Sequence, residues 1–296
     1  MYKKYILILN VCNFYGLFIK NKLRMILNSA RFFFGFKREL PMKQLIYITL
    51  FSFTLLLNYN LAHADDHMQA GPGAIEILSC KYNDGKSDKD LAKVVKEWNK
   101  WQDKQEGDYQ SWTMVPYAFD PSQYPLDVDF FWFGLSSNWK NFGKDMQSWL
   151  DEGISTHGEN FDSVAPCSSR ALFSAIPIRQ FDFEVKEGQS NPFQISNCKI
   201  KEGKTFQDLL KVASQFNKVL DGNGDNAGIV AMIPDAGNPA NPDWDFKLGV
   251  GWSDYKNFGN SRSNWYSGTG DEAAKTYGTV VDCDSPRIYS STQQRY

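Results

Sequence analysis

The sequence predicts an α+β protein made of two tandem ferredoxin-like repeats, each with the element order βαββαβ, whose sheets pack against each other. Three observations support this fold class: an internal repeat, alternating strand and helix patterns, and four cysteines at matching points of the two copies. A four-stranded sheet with helices on one face leaves its other face uncovered. The equivalent face of the second copy is the expected cover.

The internal repeat is an ordered series of identities at a nearly constant displacement. Lys-Asn-Phe-Gly at 140–143 returns at 256–259, a displacement of 116 residues. Upstream of residues 117–128 the displacement is 118, so the copies differ there by two residues. Matched pairs include Cys80 and Cys198, Asn99 and Asn217, Trp149 and Trp265, and Cys167 and Cys283. The series defines repeat 1 as residues 65–176, a linker as 177–192 and repeat 2 as 193–296.

Residues 42–64 have the pattern of a signal peptide. A basic start precedes the apolar run Leu45–Leu57, and Ala62-His63-Ala64 has the small-x-small form of a signal-peptidase site. We therefore predict cleavage after Ala64 and a periplasmic or secreted protein, with an uncleaved anchor as the alternative. Residues 1–41 are interpreted as a mis-assigned upstream extension, with a two-span membrane hairpin as the alternative.

The charge of the predicted mature chain limits its partners. From position 65 onward the sequence holds 23 basic and 33 acidic residues, a net charge near −10. A surface this acidic repels phosphate backbones, which argues against a nucleic-acid partner. We expect no membrane association once the signal peptide is removed, and a monomer that contains an internal pseudo-dimer.

The four cysteines of the mature region predict two disulfides, because paired cysteines in an exported protein are typically oxidised. In a split βαβ unit the end of the first strand lies beside the start of the antiparallel fourth strand. This predicts the bridges Cys80–Cys167 and Cys198–Cys283. A zinc site is the alternative, although the chain shows no CxxC or Cys/His spacing.

The elements of repeat 1 follow from short apolar runs and helix-start signals. Ser87 stands three residues before Asp90, as in a capping box, and Asn138 opens a second helix that reaches about Asp151. A polar, Gly-containing loop is expected from there to Cys167. The predicted strands are 74–80, 109–117, 128–135 and 170–176, and the apolar positions of the first helix are Leu91, Val94, Val95, Trp98 and Trp101.

Repeat 2 has the same order of elements. Its predicted strands are 193–198, 228–233, 244–251 and 287–291, and its predicted helices are 205–220 and 254–265. Right-handed crossovers between parallel strands favour the first and third strands at the centre of each sheet.

One local motif carries a family resemblance. At Trp252-Ser253-Asp254-Tyr255 a strand ends in Trp, and Ser and Asp open the next helix. With the order of elements, this resembles a dimeric α+β barrel, fused into one chain, of the antibiotic-biosynthesis-monooxygenase-like superfamily. Repeat 1 departs from the motif, because Ser136 stands at the position of Trp252. The resemblance implies oxygenases, isomerases, haem proteins and binding proteins, and therefore no single chemistry.

Strand alternation suggests a site between the two sheets. Ile75 and Ile77 share one face of the first strand and Glu76 occupies the other. If the isoleucines face the helices, Glu76 faces the space between the sheets, where it is expected to be paired with Lys247 or protonated. The side chains predicted to line that space and bind a ligand are Glu76, Gln194, Phe131, Phe133 and Lys247. The alternative is that the aromatic residues simply fill the barrel.

The equivalent residues Asn99 and Asn217 lie mid-helix, where Asn is a poor helix former. Their retention in both copies indicates a constraint. One interpretation is a hydrogen bond to a neighbouring loop, and the other is a polar group presented to a ligand cleft.

Metal and cofactor signals are weak. Asp221-Gly222-Asn223-Gly224-Asp225 resembles the start of a calcium loop, but Asn226 and Met232 stand where that loop needs Gly and Glu. We therefore predict no metal site. His157 has no equivalent in repeat 2, and the prediction is no cofactor, with haem on His157 as the alternative.

These observations predict an exported small-molecule-binding protein, or a cofactor-free oxygenase or isomerase, that uses a cleft between its two halves. The expected ligand is a small hydrophobic or aromatic molecule. The alternative is a non-enzymatic interaction or structural protein with a filled barrel, whose outer aromatic residues would dock a partner.

Overall fold

The computed structural model describes residues 72–121, 127–186 and 188–295. The predicted signal peptide and the upstream extension lie outside the described residues.

Repeat 1 forms four strands in the predicted order. Its elements are β1 (Gly73–Cys80), α1 (Asp88–Gln102), β2 (Gln110–Ala118), β3 (Phe130–Ser136), α2 (Trp139–Ser148), a π-helix (Trp149–Gly158), α3 (Glu159–Val164) and β4 (Cys167–Arg179). The α2 helix starts where predicted, because the Asn138 side chain accepts a hydrogen bond from the Asn141 backbone N–H at 2.9 Å.

Repeat 2 follows the same plan. Its elements are β5 (Ser190–Ile200), α4 (Phe206–Gly222), β6 (Gly228–Pro234), β7 (Phe246–Gly251), α5 (Tyr255–Asn264), a π-helix (Trp265–Thr269), α6 (Gly270–Lys275), a 3₁₀ turn (Tyr277–Thr279), β8 (Val281–Cys283) and β9 (Arg287–Arg295). Thr205 and Asp208 form a capping box at the start of α4.

The loop predicted between Asp151 and Cys167 is wrong, because the chain stays helical from Trp139 to Val164. Gly153 in this segment is needed for close packing against two tryptophan rings. A Cβ added at Gly153 would lie 2.4 Å from the Trp149 ring and 3.0 Å from the Trp101 ring. The glycine therefore allows two indoles to approach the π-helix closely, and its presence does not mark a loop.

The two repeats form a closed antiparallel barrel, which confirms the predicted fold class. Repeat 1 has the strand order β4-β1-β3-β2, with β1 and β3 central as expected, and repeat 2 has the order β9-β5-β7-β6. The repeats join edge to edge through β2–β9 and β4–β6. Closure leaves these strands without a free edge. The short β8 pairs with the end of β5 beyond β9.

The predicted open cleft between the halves is wrong, because an apolar core fills the barrel interior. The buried members of this core are Ile75, Met114, Phe133, Phe173, Ala175, Ile195, Val230 and Met232. Separate apolar clusters lie between each half of the barrel and its own helices. Both faces of every half-sheet are therefore covered, one by helices and the other by the opposite half.

Both predicted disulfides are present, which confirms Cys80–Cys167 and Cys198–Cys283. Each bridge joins directly paired residues at or near the end of the first strand of its repeat. The expected strand order is the physical reason for the pairing. Among the described residues, no helix is long and apolar enough to cross a membrane.

Candidate acid–base cavity in repeat 1

A cavity of about 340 Å³ lies in repeat 1 between the outer face of the half-sheet and the helices that cover it. Trp98, Trp132, Trp149 and Phe161 form aromatic walls, and the Trp98 and Trp132 rings meet edge to face at 5.6 Å. An aromatic lining with few polar groups is typical of small-molecule sites. The polar lining residues include Glu76, Asp145 and Arg170.

Glu76 is the most deeply buried charged residue of the lining, at 3% exposure. Its Oε1 accepts a short hydrogen bond from the Tyr109 hydroxyl, which itself accepts one from Trp132 Nε1 at 3.0 Å. Its Oε2 lies 3.3 Å from Arg170 Nε but accepts no hydrogen bond within the described part of the chain. One carboxylate oxygen is thus held in place and the other remains available.

Tyr109 occupies space that only glycine can leave open. A Cβ at Gly134 would lie 2.0 Å from the Tyr109 hydroxyl oxygen, and Gly134 is the direct partner of Glu76 across β1 and β3. The missing side chain lets the phenol lie against the strand and reach the carboxylate. The geometry of Glu76 therefore depends on Gly134.

Asp145 is a second buried carboxyl group at the cavity. Its Oδ1 accepts a hydrogen bond from Gln102 Nε2 at 3.0 Å, and its Oδ2 accepts one from the Ser136 hydroxyl at 3.1 Å. A Cβ at Gly107 would lie 1.6 Å from Oδ1. Helix α1, strand β3 and the α1–β2 loop thus hold this carboxyl group together.

Burial changes the titration of all three acidic groups. It raises the pKa of Glu76, although Arg170 and the Tyr109 hydrogen bond oppose the change and Asp145 adds to it. Burial likewise raises the pKa of Asp145, against its hydrogen bonds to Ser136 and Gln102. It raises the pKa of Tyr109 well above the ordinary value, so the phenol stays protonated. Carboxyl groups with raised pKa values in a cavity are typical of general acid–base sites.

Comparison with solved structures finds the same overall fold. A candidate monooxygenase of Fusobacterium nucleatum aligns at 9% identity and TM-score 0.48, over 77% of this chain and 94% of that one. A novel heme-binding protein of Thermus thermophilus aligns at 8% identity and TM-score 0.43, over 77% of this chain and 94% of that one. A variant of chlorite dismutase from Candidatus Nitrospira defluvii aligns at 7% identity and TM-score 0.44, over 76% of this chain and 92% of that one.

These similarities agree with the fold resemblance found in the sequence and concern the fold alone. No protein-family model and no curated protein sequence matches the chain. The prediction of no cofactor is corrected by the comparison, because one protein with this fold is described as heme-binding. The fold therefore gives no reason to exclude a cofactor.

The described residues place no histidine ligand for haem at this cavity. His157 is the sole histidine among them, and its two ring nitrogens are buried without a hydrogen-bond partner. Its ring packs 5.7 Å from the Trp101 ring and is not part of the cavity lining. No imidazole therefore faces the cavity, and no chemical step is assigned to haem.

The predicted placement of Glu76 and Gln194 between the sheets is wrong. Ile75 and Ile77 pack in the barrel interior, so Glu76 lies on the opposite face, under the helices. Glu76 contacts Arg170 and not the predicted Lys247. Alternation identified which residues share a face, but both faces are covered, so it did not show which face is inside.

Gln194 occupies the matching position in repeat 2, and its surroundings differ. Its Oε1 accepts a hydrogen bond from Arg262, which stands where repeat 1 has Met146. The positions of Tyr109 and Asp145 are taken by Ala227 and Ser261. The two halves are thus unlike under the helices, because repeat 2 has neither the phenol nor the second carboxyl group that stand near Glu76.

Phe131, Phe133 and Lys247 lie on the inner face of the barrel. Phe133 packs 5.9 Å from the Phe193 ring and Phe131 packs 5.8 Å from Tyr289, so both belong to the filled core. Lys247 Nζ donates to Asn197 Oδ1 at 2.6 Å and lies 4.2 Å from the Trp244 ring centre. Burial, with Arg287 nearby, lowers the pKa of Lys247 to about 8.

Asn99 and Asn217 bind backbone carbonyl groups and do not line the cavity. Both hydrogen bonds are structural, but their acceptors Gln294 and Ile178 lie in strands β9 and β4 and not in the predicted loop.

Three residues of the cavity escaped the sequence analysis: Tyr109, Asp145 and Arg170. Polar positions shared by both repeats, such as Asn99 and Asn217, do not point to these residues. The signal that could have found two of them is a difference between the repeats, because Ala227 and Ser261 stand in repeat 2 at the positions of Tyr109 and Asp145.

Proposed function

We propose that the cavity of repeat 1 binds a small aromatic molecule and that Glu76 removes a proton from it. The observation that carries the proposal is the Glu76 Oε2 atom, which lines an aromatic cavity, accepts no hydrogen bond within the described residues and has Arg170 as its ion-pair partner. A base in such a cavity is poorly solvated, which strengthens it toward a bound carbon acid.

The neighbouring groups support this role. Tyr109 donates to Oε1 and fixes the orientation of the carboxylate, so that Oε2 points to the cavity as the proton acceptor. The phenol stays protonated because its pKa is raised, and it therefore keeps donating throughout the reaction. Asp145 lines the same cavity as a second carboxyl group, and its negative charge contributes to the raised pKa of Glu76.

The reaction class that suits this arrangement is isomerisation next to a carbonyl group. Glu76 takes a proton from the carbon beside the carbonyl, and the electron pair of that C–H bond forms a carbon–carbon double bond. The carbonyl oxygen then takes a proton from water, and Glu76 returns its own proton to solvent. The net change is a keto-to-enol conversion without any change in oxidation state.

The test uses 2-tetralone, an aromatic ketone with an acidic C–H bond, in D₂O. We expect the protein to accelerate hydrogen–deuterium exchange, with a rate that rises as pH passes through the raised pKa of Glu76. Glu76→Gln should abolish the acceleration. Glu97→Gln, which removes an exposed carboxylate on α1, should retain it. Equal rates for the wild type and Glu76→Gln would refute the assignment of the base.

A second pair of variants tests the location. Met146 lines the cavity from α2, whereas Leu150 is 63% exposed and outside the lining. Met146→Trp should fill the cavity and abolish binding of 8-anilinonaphthalene-1-sulfonate, measured by its fluorescence. Leu150→Trp adds the same indole to the outer surface and should leave binding unchanged. If both variants bind the dye like the wild type, it binds elsewhere.

We also propose that the protein is exported and that Ala64 is the last residue removed. The two disulfides support an oxidising compartment. N-terminal sequencing of the exported protein should begin at Asp65. A mature protein that still carries residues 42–64 would show that this segment is an anchor.

The filled barrel interior supports one alternative, a non-enzymatic structural or interaction protein. The isotope-exchange experiment separates the two, because a purely structural protein should not accelerate exchange of 2-tetralone.

A further inference from the structure

We infer that the ligand of the repeat 1 cavity carries a carboxylate or similar oxyanion, and that Arg170 binds it and sets the substrate class. This rests on the proposed function in one respect, namely that the cavity takes a small molecule. It goes further because it assigns the charge of that molecule and the residue that recognises it.

The guanidinium group of Arg170 makes few contacts with the described residues of the protein. Its guanidinium group has five N–H donors. The described contacts are an ion pair from Nε to Glu76 at 3.3 Å and a contact from Nη1 to the Met146 sulfur at 3.7 Å. A thioether is a weak acceptor, and no contact to Nη2 is found within the described residues. A guanidinium with free donors at a cavity fits a bidentate oxyanion.

The charges of the lining point the same way. Arg170 is the one lysine or arginine among the described lining residues, which also include the carboxyl groups of Glu76 and Asp145. An anion placed anywhere else in this cavity would meet carboxyl groups in an apolar environment, which is costly. Arg170 is therefore the position where a ligand anion is stabilised.

The difference in exposure between Arg170 and the other lining residues indicates how a ligand would be oriented in the cavity. The Arg170 side chain is 45% exposed, whereas Glu76 and Trp132 are almost fully buried, at 3% and 9%. A ligand with its anion on Arg170 would extend its apolar part inward between the aromatic walls. Glu76 Oε2 lies 3.3 Å from Arg170 Nε, so the carbon atoms near the carboxylate-bearing end of the ligand come close to the base. In an aromatic 2-oxo acid the ketone carbon follows the carboxylate, and the next carbon carries the acidic C–H bond.

The bound anion would also make Glu76 a better base. In the free protein, Arg170 opposes the effect of burial on the pKa of Glu76. A ligand anion that takes over the guanidinium weakens this opposition, so the pKa of Glu76 rises further. Substrate binding and base strength are thereby coupled through Arg170.

The experiment compares phenylpyruvate, an aromatic 2-oxo acid, with the neutral 2-tetralone on the same protein. Enol formation and isotope exchange are measured for the wild type, for Arg170→Met and for Lys144→Met. Lys144 is an exposed cation on α2 outside the lining. Circular dichroism melting of each variant establishes that it folds.

We expect Arg170→Met to lower kcat/KM for phenylpyruvate relative to 2-tetralone by about tenfold or more, mainly through KM, because hydrogen bonds between charged groups are stronger than neutral ones. Lys144→Met should change the ratio by less than about twofold, as expected for a screened surface charge. An unchanged ratio in Arg170→Met would overturn the inference while leaving Glu76 as the base.

A binding measurement separates the inference from catalysis. Calorimetry should show that phenylacetate binds the wild type more tightly than phenylacetamide, and that Arg170→Met abolishes this preference. If the preference is found but neither ketone reacts, the proton-transfer function falls and the anion site stands. If both ligands bind equally or not at all, the anion site is refuted.

Discussion

The side-chain amide of Asn99 donates a hydrogen bond to the backbone carbonyl of Gln294 at 2.8 Å, and so ties the first helix of repeat 1 to the last strand of repeat 2. Asn217 makes the reciprocal bond to the carbonyl of Ile178 at 2.9 Å. Ile178 and Gln294 stand at the same 116-residue displacement as the repeats. The pair of bonds therefore obeys the internal pseudo-twofold and locks the two halves together.

Asn99→Ala and Asn217→Ala should each lower the free energy of unfolding by about 1 kcal/mol, because each leaves a strand carbonyl without its donor. Urea unfolding measures the change. Lys100→Ala, at the exposed neighbouring position, is the control and should have a smaller effect. The two losses should be similar, since the bonds are equivalent. A variant that alters dye binding but not stability would instead restore a ligand-site role for these residues.

Gly134→Ala should displace the Tyr109 ring, since the new Cβ would lie 2.0 Å from its hydroxyl oxygen. Overpacking of this kind costs about 1–3 kcal/mol. Loss of the Tyr109 hydrogen bond to Glu76 should also reduce isotope exchange of 2-tetralone. Gly143→Ala in α2 is the matched control, because nothing lies within 4 Å of its added Cβ. It should be neutral or stabilising by about 1 kcal/mol. Equal behaviour of the two variants would contradict the crowding at Gly134.

Glu76→Gln should stabilise the protein more at about pH 8 than at about pH 4. The folded-state pKa of Glu76 is raised above 4.5, so the neutral form is favoured in the fold. The contribution of the neutral Glu76 carboxyl group to stability is complete below its pKa in the unfolded state. It is lost as pH rises through its pKa in the folded state. Glutamine stays neutral at every pH and still accepts from Tyr109. Thermal melting across this range gives the difference.

Glu97→Gln provides the comparison, because that exposed carboxylate has its pKa lowered by a hydrogen bond from Lys100. Glu97→Gln should not stabilise the protein more at about pH 8 than at about pH 4. A Glu76→Gln variant less stable than the wild type at about pH 8 would show that the Arg170 ion pair outweighs the cost of burial.

Replacing Cys80 and Cys167 by serine should lower the free energy of unfolding by about 4.6 kcal/mol in the chain-entropy model. The bridge spans 87 residues and its counterpart Cys198–Cys283 spans 85, so the two losses should be nearly equal. Denaturant unfolding of both double variants measures them. A large inequality would show that one half retains more structure in the unfolded state.

The sequence by itself determined the repeat, the disulfide pairs and the order of strands. Each depends on matched positions or on connectivity. Cys80 and Cys167 could be paired from the order of elements alone, because strand one and strand four of a split βαβ unit are neighbours whatever the side chains do. Asn138 marked the start of α2 because capping is local.

Tertiary structure alone decided the face of β1 and the site. Alternation separates Ile75 and Ile77 from Glu76, but helices cover one face of the sheet and the opposite half covers the other. Hydrophobicity is therefore not a guide to which face is inside. The cavity joins Glu76, Tyr109, Asp145 and Arg170, which come from three strand regions and one helix. Only folding brings groups so distant in sequence within hydrogen-bonding and electrostatic range.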